Sequence, residues 1–203
     1  MTTSASDDCA QTPIDAADEK DIALALQGVE AAYARLVNRY EQEIAKQLWR
    51  FTRDPATLES LVQDVFVEAY ISLSGFRGNA PLLHWLRRIA TRVGYRHWKQ
   101  EARRRREDAP CFAANIRRGL FSECAAPSEA AEYAFLMLQQ LPTDDRLVLT
   151  LMYFEQCDTR EIAGRMGWSR AKVKVRAWRA RNKLAKLLEK EGYGKKNHEQ
   201  AIT

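Results

Sequence analysis

Apolar residues in this chain recur every three or four positions, and no stretch shows the strict alternation of a strand. From Val29, the set Tyr33, Leu36, Val37, Tyr40, Ile44, Leu48 and Phe51 draws one face of a long helix that ends near Asp54 and Pro55. Leu58, Leu61, Val62, Val65, Phe66, Ala69, Tyr70 and Leu73 repeat the spacing until Ser74 and Gly75 stop a second helix. A loop from Phe76 to Pro81 leads into a third, whose core face is Leu82, Leu86, Ile89 and Val93. Between about Glu107 and Pro127 the periodicity lapses across two prolines and one glycine. It resumes with Ala130, Tyr133, Ala134, Met137, Leu138 and Leu141 behind Ser128, a candidate N-cap, and Asp144 to Glu155 forms the next helix. The pattern predicts an all-α fold of two small helical domains, residues 19–106 and 128–192, joined by a flexible linker at 107–127. Residues 1–18 and 193–203 read as tails. Fully extended, the linker reaches about 70 Å, roughly two turns of a DNA duplex.

The segment Thr159 to Arg181, TREIAGRMGWSRAKVKVRAWRAR, reads as a helix-turn-helix. Ala163 is small enough for a close helix crossing, Gly167 tolerates positive φ in the turn, and Val173 supplies an apolar anchor. Asp158, with Glu161 three residues on, resembles a capping box. The second helix carries Arg170, Lys172, Lys174, Arg176, Arg179 and Arg181 with no acid among them, which suits insertion between phosphate backbones. A solvated hairpin with a chance run of charge is the bland alternative.

Charge sharpens this division. The chain has 203 residues, 29% of them charged, and a net charge of +5. Arg87 to Arg106 holds nine Lys and Arg against one acid, and Arg165 to Lys190 ten against one, whereas Asp54 to Leu73 holds four acids and no base. Two basic blocks and an acidic one point to two nucleic-acid contacts and a separate protein-facing surface. No apolar run approaches the roughly 20 residues that span a bilayer, and the N-terminal stretch is acidic, so a cytoplasmic location is expected. Cys9, Cys111, Cys124 and Cys157 lack Cys-x-x-Cys spacing, and free thiols are expected, with a redox role as the alternative.

The second helix carries more than its core face. Asp64, Val67, Glu68 and Ile71 form a second, acidic and aliphatic stripe suited to a basic amphipathic partner, unless the two aliphatics are merely tolerated on a solvated face. On the third helix Arg88, Arg92, Arg96, Lys99 and Arg103 follow a stripe with Trp85, Tyr95 and Trp98 interleaved. Cations that hold phosphate beside aromatics that receive unstacked bases suit single-stranded nucleic acid. Trp85 is expected in the core; Trp98, set among Arg96, His97 and Lys99, is the expected surface aromatic. Three histidines and no Gly-rich phosphate loop, nucleophile elbow or metal motif give an enzyme reading little support, and no cofactor or metal is expected.

With these residues in view, the chain resembles the extracytoplasmic-function (ECF) group of bacterial sigma factors. The resemblance covers roughly residues 29 to 190 and rests on YARLVNRYEQEIAKQLWRF, ESLVQDVFVEAYISLSGFRG, LLHWLRRIATRVGYRHWK and LPTDDRLVLTLMYFEQCDTREIAGRMGWSRAKVKVRAWRARNKL, in that order. It implies a region-two domain, a linker and a region-four domain. Asp64, Val67, Glu68 and Ile71 would then bind the clamp helices of the largest subunit of core RNA polymerase, with the second-largest subunit a further contact. Phe76, Arg77, Asn79, Arg88, Arg92, Arg96, Trp98 and Lys99 would recognise and open the minus-ten element of promoter DNA. Arg170, Lys172, Lys174, Val175, Trp178 and Arg179 would serve the minus-thirty-five element. An anti-sigma factor, for this family usually membrane-linked, is the implied antagonist.

The chain departs from many members at Ala171-Lys172, where they have Gly-Thr, and at Val175, where they have Ser, so base preferences do not transfer. The reading is a non-catalytic promoter-specificity subunit. A stand-alone helix-turn-helix regulator leaves the Val67 stripe and the basic third helix unexplained, and a helical nucleic-acid enzyme lacks an acid-base constellation.

Overall fold

The computed structural model describes residues 15–107 and 129–191. These form eight α-helices and, among the described residues, no strand: α1 (Ala16–Leu26), α2 (Glu30–Leu48), α3 (Pro55–Ser72), α4 (Leu82–Glu107), α5 (Glu129–Gln139), α6 (Thr143–Leu149), α7 (Thr159–Met166) and α8 (Arg170–Lys190). The expected Ser128 cap and all but Glu107 of the expected linker lie outside the described residues; Glu107 ends α4. The chain packs as two units. One holds α1, α2, most of α3 and α4 as far as Val93, the other the turn at 50–55, α4 from Gly94, and α5 to α8.

In the first unit the periodic faces meet as their spacing requires. Leu36, Ile44 and Leu48 of α2, Leu58, Leu61, Val65, Phe66 and Ala69 of α3, and Leu82, Leu86, Ile89 and Val93 of α4 are all buried. Gln47 crosses this core, its Nε2 donating to the Arg87 carbonyl (3.2 Å) and to Thr91 Oγ1 (3.1 Å). Tyr70 departs from its expected core place: it stands half exposed, with its ring against the edge of Tyr33 at 4.9 Å between centroids.

The ordered chain also begins earlier than expected. Asp15 caps α1 by accepting from the Ala17 amide (3.0 Å), so residues 16–18 are helix rather than tail. Periodicity misses α1 because aspartates, and not only aliphatics, face α2. Asp18, 2% exposed, accepts from Arg39 and Tyr40, while Asp21 accepts from Arg35 (2.6 Å) and Arg39 (3.0 Å). Buried carboxylates are tolerated only when paired in this way.

In the second unit, α2's expected continuation to Asp54 is replaced by a turn, because Phe51 swings inward onto Trp98 at 4.5 Å between ring centroids. Gly94 makes room for it: a Cβ there would sit 2.5 Å from the Phe51 ring. The helix expected to run to Glu155 changes at Thr150 into a π-helical turn ending at Phe154, and the next residues bend so that the Cys157 amide donates to the Leu151 carbonyl (2.9 Å). Cys157 is a buried free thiol, and that burial pushes it above the ordinary thiol range; the other three cysteines lie outside the described residues. Leu138, Leu141, Leu149 and Ala180 form the centre of this unit, flanked by Leu184 and Leu187.

The Arg35 hydrogen bonds, followed by that of Arg39, hold the Asp21 carboxyl below its usual range. A depressed folded value means stability that is present above the unfolded carboxylate range, about pH 4, and lost as pH falls through the folded value. Amide protection factors in α1 should therefore drop below about pH 4 while those of α2 persist. In Asp21→Asn, hydrogen exchange should show α1 already weakly protected at pH 7.

Candidate functional site

Local chemistry builds the helix-turn-helix. The Asp158 carboxylate accepts from the Arg160 and Glu161 amides (2.6 and 2.7 Å), and Glu161 returns a bond from the Asp158 amide (2.8 Å), completing the expected capping box. These amides hold the Asp158 carboxyl below its ordinary range, that of Glu161 foremost. Gly167 ends α7 at φ 65°, the left-handed turn that favours glycine. Ser169 then caps α8 by accepting from the Lys172 amide (3.2 Å). Ile162, Ala163, Val173, Ala177 and Ala180 are buried between the two helices and their neighbours.

That packing leaves Arg170, Lys172, Lys174, Val175, Trp178 and Arg179 exposed, the last four as two adjacent pairs one helical turn apart along the outer face of α8. Trp178 is 63% exposed, an expensive position for a large aromatic in a monomer with no use for it. Arg176 points the other way. Its guanidinium pairs with Asp144 (3.0 Å) and Asp145 (3.1 Å), and Lys183 joins Asp145 at 2.7 Å. Asp145 is wholly buried, so this network draws Arg176 part-way inward and sets the helix's rotation, while Lys183 reaches Asp145 from an exposed position.

On α3 the second stripe is real. Val67 and Ile71 are 59% and 75% exposed, and Asp64 is exposed beside them. Glu68 sits at the edge of this face, half-buried, and reaches across to Arg92 of α4 at 3.2 Å.

Along α4, Arg88, Arg92, Arg96 and Lys99 are exposed on one stripe. In the loop before it Arg77 and Asn79 are exposed, and Phe76 is half-buried against Trp85 at 5.2 Å between ring centroids. Trp98 is the correction. It is 3% exposed, its Nε1 donates to the Phe51 carbonyl (2.6 Å), and the Arg146 guanidinium lies 3.7 Å over its ring. Trp85, expected in the core, is half-buried and lines the same apolar space as Leu36, Phe66, Leu82 and Leu86, so only Trp98 departs from its expected place. Helical register carried the signal: Trp85, Arg88, Arg92, Arg96 and Lys99 are spaced by three or four, whereas Trp98 falls off that line. His97 is half-buried, which lowers its imidazole below the usual value and keeps it neutral near pH 7, so it adds no cation to the stripe.

Arg146 itself makes no hydrogen bond through Nε or Nη2 among the described residues. It is held between the Trp98 ring and Phe135, and burial pushes its guanidinium down to about 9. Sequence reasoning missed this residue and Asp145, because nothing in a helical spacing marks which charge will be buried.

An all-helical architecture with a helix-turn-helix and a stripe of cations is the arrangement that the comparisons match to a class of transcription proteins. The Sigma-70 region 2 family profile matches residues 36–104, and that of Sigma-70, region 4 matches residues 132–184. The chain is 29% identical over 188 residues to the RNA polymerase sigma-H factor of Pseudomonas aeruginosa, covering 85% of this chain and 94% of that one. It is 28% identical over 177 residues to the ECF RNA polymerase sigma-E factor of Escherichia coli, covering 81% and 92%. Among solved structures, CnrH in complex with the cytosolic domain of CnrY is similar with a TM-score of 0.55 and 26% identity, over 85% of this chain and 97% of that one. The sigma factor RpoE of Bartonella quintana, in complex with the anti-sigma factor NepR, shares the fold with a TM-score of 0.56 and 19% identity, over 77% and 96%. The chain belongs to the ECF group of the sigma-70 family. It is an alternative sigma factor, which directs RNA polymerase in transcription initiation.

Because Trp98 is core, Trp98→Ala should cost roughly 3–5 kcal/mol of stability in urea denaturation, as expected for a large aromatic removed from a packed interior. An unchanged urea midpoint together with weaker DNA binding would restore Trp98 to the nucleic-acid surface.

Proposed function

We propose that three surfaces divide the work of this sigma factor. The outer face of α3, Asp64, Val67, Glu68 and Ile71, docks on the clamp helices of the polymerase largest subunit, with further contact to the second-largest subunit. The loop residues Phe76, Arg77 and Asn79, with Arg88, Arg92, Arg96 and Lys99 of α4, engage the minus-ten element and its melted strand. On α8, Lys174, Val175, Trp178 and Arg179 face base edges of the minus-thirty-five element, and Arg170 and Lys172 hold phosphates. The protein is a non-enzymatic, cytoplasmic regulator held in check by an anti-sigma factor, in keeping with the complexes formed by its similar relatives. No helix among the described residues is long and apolar enough to cross a membrane.

The observation that carries this reading is the exposure of Val67 and Ile71 beside acids on a helix that already gives Leu58, Leu61, Val65, Phe66 and Ala69 to the core. A folded monomer gains nothing from that pair, whereas a basic amphipathic partner buries both. Co-purification with core polymerase, followed by transcription from a genomic fragment library with and without the protein, tests the assignment and maps both promoter elements.

Val67→Asp, or joint charge reversal of Asp64 and Glu68, should weaken polymerase binding by roughly 1–3 kcal/mol with an unchanged circular dichroism spectrum. Unaltered affinity in interferometry would remove α3 from the interface. Arg179→Ala should cost roughly 1–3 kcal/mol and relax preference at one or two upstream positions, while Lys172→Ala should weaken all sequences alike and lower the salt slope by about one unit. A randomised minus-thirty-five library selected at two salt concentrations separates these effects, and an unchanged ranking with Arg179→Ala would mean a different helix orientation in the groove.

A further inference from the structure

The docking face of α3 and the basic stripe of α4 share one contact. Glu68 belongs to the first, Arg92 to the second, and their side chains pair at 3.2 Å. Glu68 is otherwise well placed to hold this position: its turn of α3 is braced by Ser72, whose Oγ donates to the Glu68 carbonyl (2.6 Å). Arg92 is about half exposed, so its guanidinium can leave the carboxylate for a phosphate without disturbing the core. Asp64, one turn earlier on the same face, forms no ion pair among the described residues. The acidic face therefore contains one carboxylate that holds a cation of α4 and one that does not.

We propose that Glu68 is a positioning residue shared by the two surfaces: it occupies Arg92 while the chain is free, and a basic partner surface docking on α3 draws it off and releases Arg92 to the DNA backbone. This rests on the surface assignments of the preceding subsection. A guanidinium paired to a carboxylate must give up that pair before it can neutralise a phosphate, so the carboxylate competes directly with the nucleic acid. A basic group arriving on α3 competes for the same carboxylate from the other side. By linkage the coupling is reciprocal: single-stranded DNA that takes Arg92 leaves Glu68 freer for the polymerase. The size is bounded by the exposure of the pair. Partly exposed ion pairs contribute at most about a factor of five in an equilibrium constant, so the device biases the order of binding and does not gate it absolutely.

The test is the binding of a fluorescein-labelled thymine 12-mer to the full chain by anisotropy, for wild type, Glu68→Gln, Asp64→Asn, Arg92→Ala and the Glu68→Gln/Arg92→Ala double variant. Glu68→Gln should bind about two- to five-fold tighter than wild type, and tighter than Asp64→Asn, which removes the same charge from the same face. The excess should disappear in the Arg92→Ala background. In holoenzyme, with binding to polymerase alone subtracted, the Glu68→Gln gain should also vanish. A gain equal to that of Asp64→Asn, or one that persists without Arg92, reduces Glu68 to a general charge and overturns the proposal. A gain undiminished in holoenzyme overturns the release by docking. Failure of the underlying assignments looks different: Arg92→Ala would bind the 12-mer like wild type in every background, or the chain would not assemble with core polymerase.

Discussion

A single continuous helix, α4, has to be gripped along one side and left largely exposed along the other, and much of what the chain presents follows from that constraint. In its first half the grip is aliphatic, through Leu82, Leu86, Ile89 and Val93; in its second half it becomes aromatic, through Tyr95 and Trp98. The opposite side carries Arg88, Arg92, Arg96 and Lys99 at three- and four-residue spacing, where like charges repel by a few tenths of a kcal/mol per pair. An isolated helix would gain nothing from such a stripe. Burial of the other face stabilises the helix regardless, and the Glu68 carboxylate relieves part of the repulsion by pairing with Arg92.

Buried charge sets orientation in both units. Asp145 gathers Arg176 and Lys183 of α8, and Asp18 and Asp21 gather Arg35, Arg39 and Tyr40 of α2. Pairs of this kind contribute little net stability once desolvation is counted, yet removing one partner is costly, so they penalise every other rotation of the helices they join. For α8 the consequence is direct: with Arg176 turned inward to the two aspartates, Val175 and Trp178 can only face outward, flanked by Lys174 and Arg179. The exposed face of α8 is thus selected from the inside of the unit.

The three surfaces also differ in the physics they offer. On α3 an aliphatic pair among acids favours a folded, basic protein partner, for which apolar burial supplies affinity and charge supplies steering. On α4 cations share a helical stripe with the half-buried Trp85, itself packed on Phe76, a mixture that suits flexible single strands better than a rigid duplex. On α8 a compact cluster held by two N-caps suits a groove, where a bare apolar group such as Val175 can meet a thymine methyl but cannot donate a hydrogen bond.

Helical periodicity in the sequence was enough to define α3, the first half of α4, and the helix-turn-helix, because their core residues are aliphatic and their caps are local: Asp158 with Glu161, Gly167, and Ser169 act within four residues of one another or of the helix they start. The exposed stripe on α3 was legible for the same reason, as whatever the core face leaves over. Other features depended on contacts between segments far apart in sequence. That Trp98 is interior is decided by Phe51 and Arg146, that Arg176 is internal by Asp144 and Asp145, and that α1 is helix by two aspartates meeting arginines on α2. An aromatic or a charge in a sequence carries no mark of its partner, and its burial is settled by a contact tens of residues away; an aliphatic repeat states its own preference for the interior, and only that part of the fold could be read without the tertiary structure.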